Sequence, residues 1–241
     1  MNESQDNKIE KTGVTFLRRI RSFVRRDGRM TEAQRNALAT LWPQFGLELE
    51  NEMCDFSQIF QREAPRILEI GFGSGQSLLA MAKAHPEQDF IGVETYQPGI
   101  GSLILGMQLE QINNIRIYYA DAVEVLERCI PEHSLDVVQI FFPDPWQKRK
   151  HHKRRLIQTA FVNRLLNKLK PNGTLHLATD WEDYAVHMMN VLSDIPALTN
   201  LAGVNQYSNR SSQRPIITKF EQRGTKCGRQ IWELQFAKDA K

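Results

Sequence analysis

Glu69-Ile70-Gly71-Phe72-Gly73-Ser74-Gly75-Gln76 sets a carboxylate just ahead of three alternating glycines. Glycines at this spacing let a backbone turn tightly and come close to a ligand. Two ligand classes compete for such a loop. A dinucleotide loop follows G-x-G-x-x-G/A; counted from Gly71, its last position falls on Gln76 and misses. A pyrophosphate also wants amides and positive charge, and Glu69 would repel it. The other ligand is S-adenosylmethionine, which has no phosphate. Its ammonium, sulfonium, ribose diol and adenine amine all welcome an acid.

More acids follow at the expected ends of successive strands: Glu94, Asp121 and Asp144. Glu94 lies about 20 residues beyond the glycines, where a carboxylate grips ribose hydroxyls. Asp121 suits the adenine amine as an acceptor. Asp144 stands between Pro143 and Pro145, the second of which biases it to extended backbone, and would face the methyl donor. Singly, each acid reads as a helix cap or a surface charge. Together with Glu69 they favour a methyltransferase over a nicotinamide-dependent oxidoreductase.

Positive charge is concentrated in two places. Lys148 to Arg155 (KRKHHKRR) holds six Lys/Arg and no acid, and Arg18 to Arg29 holds six Arg and one acid. Outside them 19 basic residues stand against 27 acidic ones, although the whole chain carries +3. A mildly acidic body with two cationic patches suits a polyanionic partner. The run Lys148–Arg155 should meet phosphates, giving affinity and salt dependence without reading sequence. Trp146, just before it, is placed to stack on an unpaired base. His151 and His152 have no partner at metal-ligand spacing, so no metal site is expected. Such charge argues against a small-molecule substrate, and the intact glycine loop argues against a non-catalytic RNA-binding protein.

The elements that must hold these groups alternate along the chain. Short apolar or alternating runs at 67–70, 90–94, 115–121, 135–142 and 174–179 read as strands. Between them lie helical patterns at 77–84, 103–111, 123–129, 157–169 and 184–192. Thr31 caps an earlier helix through Leu41. Residues 216–222 and 230–237 are expected to close the sheet as an antiparallel pair. The result is a doubly wound, mostly parallel, Rossmann-like seven-stranded α/β sheet with helices on both faces, its ligands past the carboxyl ends of the strands.

Residues 1–30 are expected to form a flexible arm, arginine-rich from residue 18, with Phe16, Ile20, Phe23 and Val24 on one face of a short helix. Residues 31–241 form one domain. The chain of 241 residues is 41% hydrophobic and 24% charged, ordinary globular usage. Its longest apolar stretches are strand-sized, far short of the ~20 residues a bilayer needs. The N-terminus MNESQDNK has no secretory pattern. Cys54, Cys129 and Cys227 match no disulfide framework, which points to a reducing cytoplasm.

Several longer motifs resemble a known family. They are Glu69-x-Gly71-x-Gly73-x-Gly75; Phe141-Phe142-Pro143-Asp144-Pro145-Trp146-x-Lys148 with Lys153-Arg154-Arg155; Ala178-Thr179-Asp180-Trp181; and Thr218-Lys219-Phe220-Glu221-x-Arg223-Gly224. With Arg18–Arg29 they look like the bacterial tRNA (guanine-N7-)-methyltransferases, from about Arg18 to Phe236. The resemblance implies a class I methyltransferase that methylates N7 of a guanosine in the tRNA variable loop, usually position 46. It places Glu69, Glu94, Asp121 and Asp144 at cofactor-binding positions, and Asp144 at the catalytic one. Lys148, Asp180, Thr218, Lys219, Phe220 and Glu221 fall on substrate-binding positions. Lys150, His151, His152, Lys153, Arg154 and Arg155 fall on the RNA-contacting loop. A methyltransferase for another RNA or for a protein is the alternative. A monomer without an obligatory protein partner is expected, since one chain carries both the site and the cationic surface.

Overall fold

The computed structural model describes residues 28–50 and 52–240. In it the alternating pattern becomes one sheet with helices on both faces. The arginines from Arg18 to Arg26 and the expected helix of Phe16, Ile20, Phe23 and Val24 lie outside the described residues. Thr31 and Gln34 close a capping box, from which α1 runs Glu32–Phe45. A two-residue strand β1 (Gly46–Leu47) and a short α2 (Phe56–Phe60) follow. Then come β2 (Arg66–Ile70), α3 (Gln76–Ala84), β3 (Asp89–Glu94), α4 (Gln97–Glu110), β4 (Ile115–Tyr119), α5 (Ala122–Arg128) and β5 (Leu135–Phe141). A 3-10 helix takes up Arg149–Arg154. The chain continues through α6 (Thr159–Lys168), β6 (Leu169–Thr179), α7 (Glu182–Ser193), β7 (Leu198–Asn200), α8 (Lys219–Lys226) and β8 (Trp232–Lys238).

The strands lie in the order β1-β4-β3-β2-β5-β6-β8-β7. From β1 to β6 all pairs are parallel; β8 is antiparallel to both β6 and β7. The chain winds outward from β2 through β3 to β4, then returns to the other side of β2 with β5 and β6. That reversal opens a crevice at the carboxyl ends of β2 and β5, where open α/β sheets bind ligands.

Because strand side chains alternate, each central strand feeds both cores. Leu68, Ile91, Val138, Ile140, Leu175 and Leu177 pack on α5, α6 and α7. Ile67, Phe90, Ile115, Ile117 and Phe141 pack on α1, α3 and α4. The stripe Phe161, Val162, Leu165, Leu166 of α6 is buried as its spacing predicts.

Two expectations change. The sheet has eight strands, not seven, because Gly46–Leu47 adds an edge beside β4. Residues 216–222 do not pair with the last strand. Their alternation of Ile216, Thr218 and Phe220 resembles a strand, but Thr218-x-x-Glu221 is a capping box and starts α8. The Glu221 N–H donates to Thr218 Oγ1 (3.2 Å) and the Thr218 N–H to Glu221 Oε2 (2.8 Å). The second neighbour of β8 is β7 instead.

Leu165→Ala would empty a fully buried site on α6. We expect a loss of about 2–5 kcal/mol in chemical denaturation, with the sheet's circular-dichroism signature intact.

Candidate active site

The candidate acids lie along one end of the sheet, each at or near the carboxyl end of a different parallel strand. In sheet order they are Asp121 after β4, Glu94 closing β3, Glu69 in β2, Asp144 after β5 and Asp180 after β6. The registers Glu69↔Gly92 and Glu69↔Gln139 set Glu69 one layer deeper than the others.

Gly71, Gly73 and Gly75 all adopt positive φ. A Cβ on Gly71 or Gly73 would meet nothing within 4 Å, so the glycine backbone borders open space. Glu94 ties this loop to β3. Its Oε2 accepts from the Gly73 N–H (2.8 Å), and its Oε1 accepts from the N–H groups of Thr95 (2.6 Å) and Tyr96 (2.9 Å). A shallow cleft lined by Ile70, Gly71, Val93, Glu94, Thr95, Ala120 and Ala122 runs beside it. Asp121, at the rim, spends one oxygen capping α5 through the Val123 N–H (2.9 Å). It therefore plays the helix-cap role its type suggests, from a position flanking the cleft.

Glu69 is 3% exposed, and its Oε2 has no hydrogen-bond partner. Burial pushes its carboxyl up to about 8; Arg214 opposes the shift and Glu94 adds to it. A carboxyl raised by burial with one unsatisfied oxygen is suited to meet a cationic group. An open glycine cradle, an orphaned acid and a carboxylate poised over the loop fit a ligand with an ammonium and a diol.

Asp144 lies in a strained loop. Phe142 (φ 52°) and Trp146 (φ 47°) bracket Pro143-Asp144-Pro145 with left-handed backbone that bulky residues rarely adopt. The Phe142 N–H is held by the Ala178 carbonyl (2.8 Å). Beneath it lies Arg214, fully buried, its guanidinium 4.7 Å from the Phe141 ring centroid and 5.5 Å from that of Phe142. Arg214 pairs with Glu233 on β8 and, at 2.7 Å, with Glu221 on α8. His176 on β6 shares Glu233 (2.8 Å) and Arg210 shares Glu221 (3.3 Å). Burial would raise the Glu233 carboxyl, but His176 and Arg214 more than offset it and hold it below the usual range.

Gly224 brings α8 onto the site: a Cβ there would sit 3.2 Å from Asp180 Cβ. Asp180 accepts from Arg229 Nη1 (2.8 Å), whose guanidinium stacks 5.2 Å from the Trp181 ring. Thr218 and Glu221 are spent on the capping box and on Arg214, while Lys219 and Phe220 begin α8.

Lys148, Lys150, Lys153 and Arg154 are exposed; His151 and His152 are half-buried. Arg154 covers the Trp146 ring at 5.0 Å, so one face of that indole is already stacked. Arg155 departs from its neighbours and from its expected role on the RNA-facing surface. It is only 3% exposed, pairs with Asp183 and donates Nε to the Pro145 carbonyl (2.9 Å). A guanidinium turned inward in this way does not face a phosphate.

Sequence reading missed Arg214, Glu233 and His176. Their one signal was charge inside otherwise apolar strands, in Leu175-His176-Leu177 and Trp232-Glu233-Leu234. Arg214 itself carried none.

Fold and cleft together define a class I methyltransferase domain. A family model of methyltransferases matches residues 63–234. Solved structures share the fold at low identity. The 16S rRNA methyltransferase KamB superposes with a TM-score of 0.57 at 11% identity, over 78% of this chain and 95% of that one. The [4+2]-cyclase SpnF gives 0.51 at 13%, over 90% and 85%. Much closer in sequence is a tRNA (guanine-N(7)-)-methyltransferase of Alcanivorax borkumensis, 54% identical over 97% of each chain. The same enzyme of Hydrogenovibrio crunogenus is 52% identical over 91% of each. The chain belongs to the tRNA (guanine-N7-)-methyltransferase family, and is an enzyme of methyl transfer. No helix among the described residues is long and apolar enough to cross a membrane.

Two outcomes follow from the buried charges. Arg214→Met leaves Glu221 and Glu233 without their shared cation and should cost about 3–5 kcal/mol, read as a lowered denaturation midpoint. Glu69 titrates higher in the folded protein than its ordinary 4.5, so the folded state binds the extra proton. Its contribution to stability therefore falls as pH rises from about 4.5 to about 8. Glu69→Gln should be more stable than the wild type by ~2–5 kcal/mol at pH 8, and by less at pH 6, in urea denaturation. An equal difference at both pH values would refute the assignment.

Proposed function

We propose that the protein transfers the methyl group of S-adenosylmethionine to N7 of a guanosine in the tRNA variable loop, position 46, leaving 7-methylguanosine. The observation that carries this reading is the junction at Asp144. On one side, at the ends of the neighbouring strands, lies the cleft lined by Gly71 and Glu94, and directly after it in the chain come the exposed cations Lys148, Lys150, Lys153 and Arg154. Few substrates other than a nucleic acid call for both at once. The relatives' printed activity points the same way.

Glu69, Gly71, Gly73, Gly75, Glu94, Asp121 and Asp144 would hold the cofactor. Bound there, S-adenosylmethionine supplies an electrophilic methyl on a sulfonium. Glu69 would give up its proton to meet the ammonium, and Glu94 would share its oxygens with the ribose hydroxyls. Guanine N7 has an in-plane lone pair and no proton, so the chain needs no general base. Its residues must align nucleophile and methyl, a proximity effect. The purine gains positive charge as N7 is methylated, and the Asp144 carboxylate stabilises that charge while orienting the guanine amino edge. Lys148, Asp180 and the segment Thr218–Glu221 flank the incoming nucleotide. Thr218 and Glu221 act mainly by shaping α8, since their side chains are engaged there. Lys150, His151, His152, Lys153 and Arg154 track the phosphates. Partial burial and the surrounding Arg154, Lys150, Lys148 and Lys153 depress the His151 imidazole. The charge offered to RNA near neutrality is therefore that of the Lys and Arg side chains. We read the enzyme as cytoplasmic and active as a single subunit.

The test is a product assay. Unmodified tRNA is incubated with the protein and S-adenosylmethionine, digested, and searched by mass spectrometry for 7-methylguanosine mapped to the variable loop. Methylation of another RNA or of a protein instead would replace the substrate and keep the chemistry. Asp144→Ala should lower kcat by ~100-fold or more with tRNA binding retained. Full activity in that variant would sink the role given to Asp144.

A further inference from the structure

Arg155 closes the most cationic run in the chain, yet its side chain is 2% exposed. Its guanidinium is engaged through Nε, through Nη2 and by stacking. Nε donates to the Pro145 carbonyl (2.9 Å), the residue directly after Asp144. Nη2 pairs with Asp183 in the first turn of α7 and lies 3.1 Å from His152 Nε2. The plane stacks 4.8 Å from the ring of Tyr184, which is fully buried and whose hydroxyl receives the Ile157 N–H (3.2 Å). The Arg155 N–H also closes the 3-10 helix on the His152 carbonyl (3.0 Å). The hydrogen bond from Arg155 holds the Asp183 carboxyl below its usual range, so the pair stays charged down to mildly acidic pH.

We infer that Arg155 is a positioning residue: it fastens the Asp144 loop and the basic 3-10 helix to α7, and it is not one of the cations that bind RNA phosphate. This rests on the reading above that methyl transfer occurs at Asp144. The backbone around Pro143-Asp144-Pro145 is bracketed by left-handed Phe142 and Trp146 and needs an outside hold. Arg155 supplies it through the Pro145 carbonyl. A lysine ammonium has three donors on one nitrogen, with no planar fork to span Asp183 and Pro145 and no plane to stack on Tyr184, so it does not reproduce this arrangement. Charge alone does not replace this arginine.

The experiment compares Arg155→Ala, Arg155→Lys and Asp183→Asn with the wild type and with the triple variant Lys150→Ala, Lys153→Ala, Arg154→Ala. Steady-state methylation of unmodified tRNA and the salt dependence of tRNA binding are both measured. Arg155→Ala should lower kcat by ~10–100-fold, the scale of a misplaced reacting group. Its KM for tRNA and its salt slope should stay near wild type. Asp183→Asn, which keeps the Pro145 contact, should lose less kcat. The triple variant should lose about 2–3 units of salt slope and raise the KM for tRNA. Arg155→Lys is decisive, and it also serves if the alanine variant fails to fold. A phosphate contact survives the change to lysine, whereas a fork that fastens two groups does not. Wild-type kcat in Arg155→Lys, or a loss of about one unit of salt slope in Arg155→Ala with kcat intact, would overturn the inference. If the wild type makes no 7-methylguanosine, the functional reading fails separately. The fastening is then read from hydrogen exchange at the amides of Trp146 to Arg154. Faster exchange there in Arg155→Lys supports it, and unchanged exchange overturns it.

Discussion

Asp144 is held in place by backbone that would relax if left alone. Left-handed conformations at Phe142 and Trp146 cost of the order of 1–3 kcal/mol each. Two inward-facing arginines oppose that relaxation from different sides. Arg214 lies under Phe141 and Phe142 and is anchored by acids on β8 and α8. Arg155 takes the carbonyl that follows Asp144 and is anchored on α7. The site's most exposed acid therefore depends on some of the least exposed cations in the protein. A conformation stabilised from several elements at once is stiff, which a proximity mechanism requires.

Much of this was legible in residue order. The alternation of strand and helix, the parallel sheet and the crevice at its reversal follow from periodicity and turn signals. The glycine loop and the positions of the acids at 69, 94, 121 and 144 at strand ends could also be read there. What stayed hidden is what depends on orientation. A basic run does not reveal which of its members turns inward, so Arg155 could not be told from Arg154. Arg214 is a lone arginine in an irregular segment, and only the folded chain shows the two glutamates that meet it. Residues 216–222 misled because alternation at 216, 218 and 220 overlaps a capping box at 218–221. The local side chain-to-backbone bonds won, as they do when a strand has no sheet edge to join.

Charge is sorted by depth. Glu69 and Glu94 are buried close to the low-dielectric sheet, where a carboxyl such as that of Glu69 shifts strongly. The cations stand outside on the 3-10 helix, where salt screens them over about 8–10 Å. The negative and positive fields thus stand side by side without cancelling. Asp144 sits at the boundary between the two.

The place of β8 in the sheet has a consequence for how the protein is made. It is inserted between β6 and β7, although both are synthesised before it. On a growing chain β7 has no neighbour to join, and Glu233 is not yet present to meet Arg214 and His176. The cleft side, built from β2, β3 and β4, can assemble first, since its contacts are nearer in sequence. The part of the support that runs through Arg214 and Glu233 is completed only with residues 232–238. Strand order alone thus separates the two sides of the sheet: the β2, β3 and β4 side closes on local contacts, whereas the Arg214 side waits for the last strand.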